Sequence, residues 1–97
     1  EIVRVASIAL EENELNDLRS AQAGLAAAQG DLRKAENQFE RQSHLLQRHI
    51  TTQADFESAQ QALTAARAQV EAAQARVRSA EDVVGFTTLK LTRSRYM

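Results

Sequence analysis

The stretch Arg48-His49-Ile50-Thr51-Thr52-Gln53-Ala54-Asp55 breaks an otherwise continuous helical pattern. It contains no Gly and no Pro, but Thr52-Gln53-Ala54-Asp55 has the spacing of a capping box, with Thr52 as N-cap and Asp55 at N3. Arg41, Arg48 and His49 stand in the last turns before the break, where cations complement the helix dipole. Asp55 and Glu57 stand in the first turn after it, where anions do. A break that carries an end signal on one side and a start signal on the other is a turn between two helices rather than a kink.

Heptads run outward from this turn in both directions. Leu18, Leu25, Leu32, Phe39 and Leu46 are each seven apart, and Ala21, Ala28 and Ala35 follow the first three by three residues. Beyond the break, Phe56, Leu63, Val70, Val77 and Val84 repeat the spacing, with Ala59, Ala66, Ala73 and Ala80 at the same offset. Both arms therefore put a large residue at a and Ala at d, the repeat of a left-handed coiled coil. An antiparallel hairpin sets each large residue against an Ala, whereas a parallel dimer would stack large on large and leave gaps elsewhere. With the turn centred near Thr52, facing residue numbers add to about 105. This expectation pairs Phe39 with Ala66, Leu32 with Ala73, and Leu63 with Gln42, the polar seam residue nearest the turn.

Outside the arms, the alternation of Val3 and Val5 around Arg4 predicts a strand segment over 1–10. Thr87, Leu89 and Leu91 predict another over 86–92, followed by an unpatterned tail to 97. The expected organisation is thus a strand segment at 1–10, a first helix at about 12–48, a turn at about 49–52, a second helix at about 53–85, and a strand segment with an irregular tail at 86–97. The fold class is all-α dominated: an antiparallel two-helix coiled-coil hairpin with short β-strand segments at both ends.

Composition agrees with a rod rather than a globule. The 97 residues include 18 Ala, no Cys, no Pro, no Trp and only 4% aromatic residues, and Ala buries little apolar area per residue. A net charge of −1, with Lys and Arg spread along the chain, is not the footprint of a nucleic-acid binder. No run of apolar residues is long enough to span a bilayer. The absence of Cys excludes disulfides and thiolate metal sites. Glu40 and His44 are spaced to share a metal, but only His49 lies near and no second carboxylate joins them, so a solvated face is the better reading. No nucleophile–base–orienter set is present, and no catalytic residue, cofactor or metal is expected.

The stretch Arg41 to Phe56 resembles the hairpin tip of the periplasmic adaptor proteins, or membrane fusion proteins, of tripartite efflux pumps. Adaptors of the resistance-nodulation-division type carry an Arg-x3-Leu-x6-Ser tip motif; Arg41, Leu45 and Thr52 fall at that spacing, with Thr in place of Ser. Ile8-Ala9-Leu10-Glu11-Glu12 is similar to the run that leads into the family's hairpin, and Phe86-Thr87-Thr88-Leu89 to the run that leaves it. Lys90-Leu91-Thr92-Arg93-Ser94 departs from the Ala-Pro-x-x-Gly-like lipoyl segment the family has next.

The resemblance implies a hairpin with the roots of a lipoyl-like module. It implies a structural adaptor that links an inner-membrane transporter to an outer-membrane channel by docking of the tip residues Arg41, Leu45 and Thr52. It further implies a periplasmic, inner-membrane-associated parent, a role in multidrug efflux, and self-association into an oligomer through outward helix faces. Apart from the resemblance, the thin core of a two-helix rod makes its stability marginal, so intermolecular helix packing is expected, with the off-seam Ala62, Ala65 and Ala72 in part of that contact. Two other readings stand beside it: an adaptor of a type I secretion system, whose hairpins are usually longer, and a stand-alone cytoplasmic coiled-coil scaffold.

Overall fold

A computed structural model describes the backbone of residues 2–96 and the side chains of residues 12–85. Two helices make up the described residues, α1 over Ile2–Gln47 and α2 over Gln53–Tyr96. They lie side by side in a rod of 72 × 18 × 14 Å. At 1.5 Å per residue, 46 residues extend to about 69 Å, so the rod is as long as one helix and as wide as two.

The heptad positions form the seam. Every described a and d residue of both arms is buried or half-buried, while most of the other described positions are exposed. The core is thin: Ala28, Ala35, Leu63, Ala66, Ala73 and Val77 are its buried apolar residues. Four of these six are alanines, because Ala at d lets the helix axes approach until the large a residues close over it. Leu32 and Phe39 pack against the cluster of Ala35, Leu63 and Ala66.

The register differs from the expected one by a heptad. The helix ends at Gln47 and Gln53 centre the turn on residue 50, not on Thr52. Of the pairings that match a with d, the nearest has facing numbers adding to 98. That register puts Leu63 level with Ala35 and leaves Phe56 only three residues from the level of Phe39. The Phe39 and Phe56 rings are 5.4 Å apart, and Ala35 and Leu63 share one cluster. In the register adding to 105, Phe56 would lie about 15 Å along the axis from the level of Phe39, and Leu63 about 10 Å from that of Ala35. Leu32 therefore faces Ala66 rather than Ala73, and Gln42 faces Phe56 rather than Leu63. Each layer from Leu18–Ala80 to Phe39–Ala59 still holds one large residue and one small one, because a shift of seven residues maps the pattern of the arms onto itself.

The strand segments expected at 1–10 and 86–92 are not seen. The backbone of 2–10 and of 86–92 continues α1 and α2, and there is no strand among the described residues. A strand requires a partner to bond its N–H and C=O groups, whereas a helix already formed adds residues with one bond each. The side chains in both segments lie outside the described residues.

Gly30 interrupts α1 at an outer position, with negative φ and nothing within 4 Å of where a Cβ would stand. Gly30→Ala is expected to stabilise the hairpin by about 0.4–1 kcal/mol, since Ala enters the helix with less backbone entropy to lose. A raised melting temperature in circular dichroism would show it; a lowered one would mean that Gly30 meets a neighbour when the protein associates.

Candidate hairpin-tip docking site

The turn is built from backbone geometry that its sequence does not advertise. The Ile50 N–H donates to the Leu45 carbonyl at 2.8 Å, and the His49 N–H donates to the Leu46 carbonyl at 3.0 Å. These are the paired bonds of a Schellman motif, in which His49 is C′ and Ile50 is C″. C′ must take the left-handed conformation, and His49 has φ of 59°. Gly usually fills this place; His is among the few other residues that visit it with some frequency.

α2 starts as its capping box predicts. The Asp55 N–H donates to the Thr52 hydroxyl at 3.1 Å, and the Phe56 N–H donates to the Thr52 carbonyl at 3.1 Å, the first bond of the helix. A third bond closes the loop onto the seam: the Thr51 hydroxyl lies 2.7 Å from Gln42 Oε1 and donates to it, in a half-buried setting. The turn is thus held at each helix end and in its middle.

Arg41, Leu45 and Thr52 all lie at this end of the rod. Arg41 is exposed and borders a shallow groove with Gln38, Asp55 and Ser58. Leu45 lies one turn closer to the apex. It stands at a heptad g position, off the seam, yet is half-buried, and it occupies C3 of the Schellman motif. Thr52 is exposed; its hydroxyl oxygen accepts the capping bond, which leaves its O–H donor and its methyl to offer a partner. Ile50, which the sequence pattern did not single out, is 66% exposed at the apex. An apolar residue just beyond the end of a helix is the signal for it, and it goes unnoticed when C′ is not Gly.

Among the described residues, no three His, Cys, Asp or Glu side chains come together to hold a metal ion. Among the same residues, no helix is long and apolar enough to cross a membrane.

Residues 17–84 match the family model described as the RND MFP alpha-helical hairpin domain, that is, the hairpin of membrane fusion proteins of the resistance-nodulation-division type. The chain belongs to this family. The matched span covers both arms and the whole turn, so the antiparallel pair is the membrane fusion protein hairpin and its 48–52 connection is the hairpin's tip. This family of adaptors is structural rather than enzymatic. No curated protein and no solved structure matches the chain.

Proposed function

We propose that this membrane fusion protein hairpin serves as the periplasmic rod of a tripartite efflux pump, one that reaches from an inner-membrane transporter to an outer-membrane channel and docks on the channel through its tip. The observation that carries the proposal is the family match over 17–84, which includes Arg41, Leu45 and Thr52 at the spacing of the adaptor tip motif. The geometry supports it in two ways. A 72 Å rod places its tip far from its root. A turn tied by a Schellman motif, an N-cap and the Gln42–Thr51 bond presents Leu45 and Ile50 on a fixed backbone, so little entropy is lost on docking.

In this reading Arg41 supplies a charged, multi-donor contact beside the apolar pair, and Thr52 shapes the loop. The segments 1–10 and 86–92 become strands where the rest of a lipoyl-like module bonds their edges. A shallow groove along one side of the rod, bordered by Gly24, Ala27, Ala72 and Arg76, supports close packing of neighbouring hairpins in an adaptor oligomer.

The test is a photoreactive amino acid at Arg41 in cells with a working pump. Cross-links to the outer-membrane channel protein are expected. Cross-links confined to cytoplasmic proteins would overturn the reading in favour of a cytoplasmic scaffold. Cross-links to a protein-secretion channel, with drug susceptibility unchanged on deletion of the gene, would favour a type I secretion adaptor.

A further inference from the structure

The seam allows two registers. With facing numbers adding to 98 or to 105, each layer built on the α1 residues from Ala21 to Gln42 sets a large residue against a small one or meets at Gln42. Conversion from one to the other slides the helices past each other by seven residues, about 10 Å, and moves the turn by half as much, about 5 Å, relative to the root of α1. The volumes in these layers do not choose between them, although the Phe39–Phe56 ring contact belongs to the observed register alone.

Among the polar groups, the two differ in the surrounding of Gln42. In the observed register its amide is half-buried, and Oε1 accepts from the Thr51 hydroxyl at 2.7 Å. In the shifted register it would lie level with Leu63, which is 6% exposed and offers no polar atom. The amide would then lose its partner at a place where little water reaches it, and an unpaired polar group at such a place is unfavourable. The Schellman and N-cap bonds also fit the observed turn, but their groups are at an open end of the rod, where water replaces a lost partner. A single polar residue on an apolar seam fixes register in coiled coils by the same asymmetry.

We propose that Gln42 is a positioning residue: through its hydrogen bond to Thr51 it selects the register of the hairpin and so sets how far the tip projects. The inference rests on the docking reading only for why projection matters, and its test does not use docking.

The protein has no Cys, so two introduced ones can carry spin labels without interference. Ala23 and Gln61 are exposed positions on the outer faces of the two helices. In the observed register they are separated along the axis by about 21 Å, and in the shifted one by about 32 Å. The distance distribution measured by electron spin resonance should show the shorter separation alone in the otherwise unchanged chain. Gln42→Leu, which removes the unpaired amide from the shifted state, should add a second population about 10 Å longer, and Thr51→Val should do the same by removing the donor. Thr51→Ser, which keeps the hydroxyl, should restore the single short distance. A single short distance in both Gln42→Leu and Thr51→Val would overturn the proposal, as would two populations in the chain with Gln42 and Thr51 intact. Should Gln42→Leu lose its helical circular dichroism, the Thr51 pair decides alone. A hairpin that passes this test while failing to cross-link to any channel would keep the register device and lose the docking role.

Discussion

Leu63→Ala should destabilise the hairpin by about 2–5 kcal/mol, toward the lower figure if the two helices close on the space left behind. Leu63 is the most deeply buried side chain of the core at 6% exposure, and it lies in one cluster with Ala35 and Ala66. No second layer stands behind a two-helix seam to refill the gap. The opposite change at a neighbouring d position, Ala66→Leu, inserts three carbons where 7% of the surface is open, and is expected to cost about 1–3 kcal/mol through overpacking against Leu32. Gln61→Leu, on an exposed face, should change stability by less than about 0.5 kcal/mol. Thermal melts of the three variants followed by circular dichroism check the order. Equal melting temperatures for Ala66→Leu and Gln61→Leu would contradict the seam.

The hairpin was legible because two of its signals are physically independent. A period of seven with a large residue at a and Ala at d identifies an antiparallel pair by volume alone. The Thr52–Asp55 capping box marks where the second helix begins, and the hydrogen bond from Asp55 confirms it. The register was not legible for the same reason that the pairing was: a pattern that repeats every seven residues cannot distinguish one heptad offset from the next. The missing information lay in the exact centre of the turn. Thr52 reads as a centre but is the first residue of the second cap. The end of α1 is marked by a left-handed His49, a residue whose side chain gives little sign of that role. Local alternation predicts the strand segments, and alternation describes what those residues do beside a partner strand. Without one, helix propagation carries the backbone of 2–10 and 86–92 instead.

The tip was legible in part. The spacing of Arg41, Leu45 and Thr52 could be seen in the sequence, but the exposure of Leu45 could not. Leu45 is half-buried in the turn, and Ile50 is the more exposed apolar residue of the two. Gln42 was visible as the polar seam residue nearest the turn, while its partner Thr51 became apparent only with the register.

Leu45→Asp is expected to abolish efflux while the hairpin stays helical. Leu45 is off the seam, so the a–d layers do not change, and its backbone carbonyl still accepts from the Ile50 N–H whatever the side chain. The half-buried position implies some loss of stability at the turn, since an apolar contact at C3 is replaced by a carboxylate near the negative end of the α1 dipole. That loss falls within the range of a single surface contact, and the arms hold the pair together. Docking is affected more heavily. A carboxylate carried into a desolvated contact without a partner costs several kcal/mol, which corresponds to a fall in affinity of at least a hundredfold. The measurement is drug susceptibility of cells carrying the variant, beside circular dichroism of the isolated hairpin and the Ala23–Gln61 label distance. Susceptible cells with helicity and distance unchanged assign the defect to docking. Full resistance would remove Leu45 from the docking surface and leave Ile50 as the residue to test. Lost helicity would show that Leu45 belongs to the core of the turn. A lengthened label distance with helicity intact would mean that the side chain at 45 helps Gln42 hold the register, and the loss of efflux would then follow from where the tip stands rather than from what it touches.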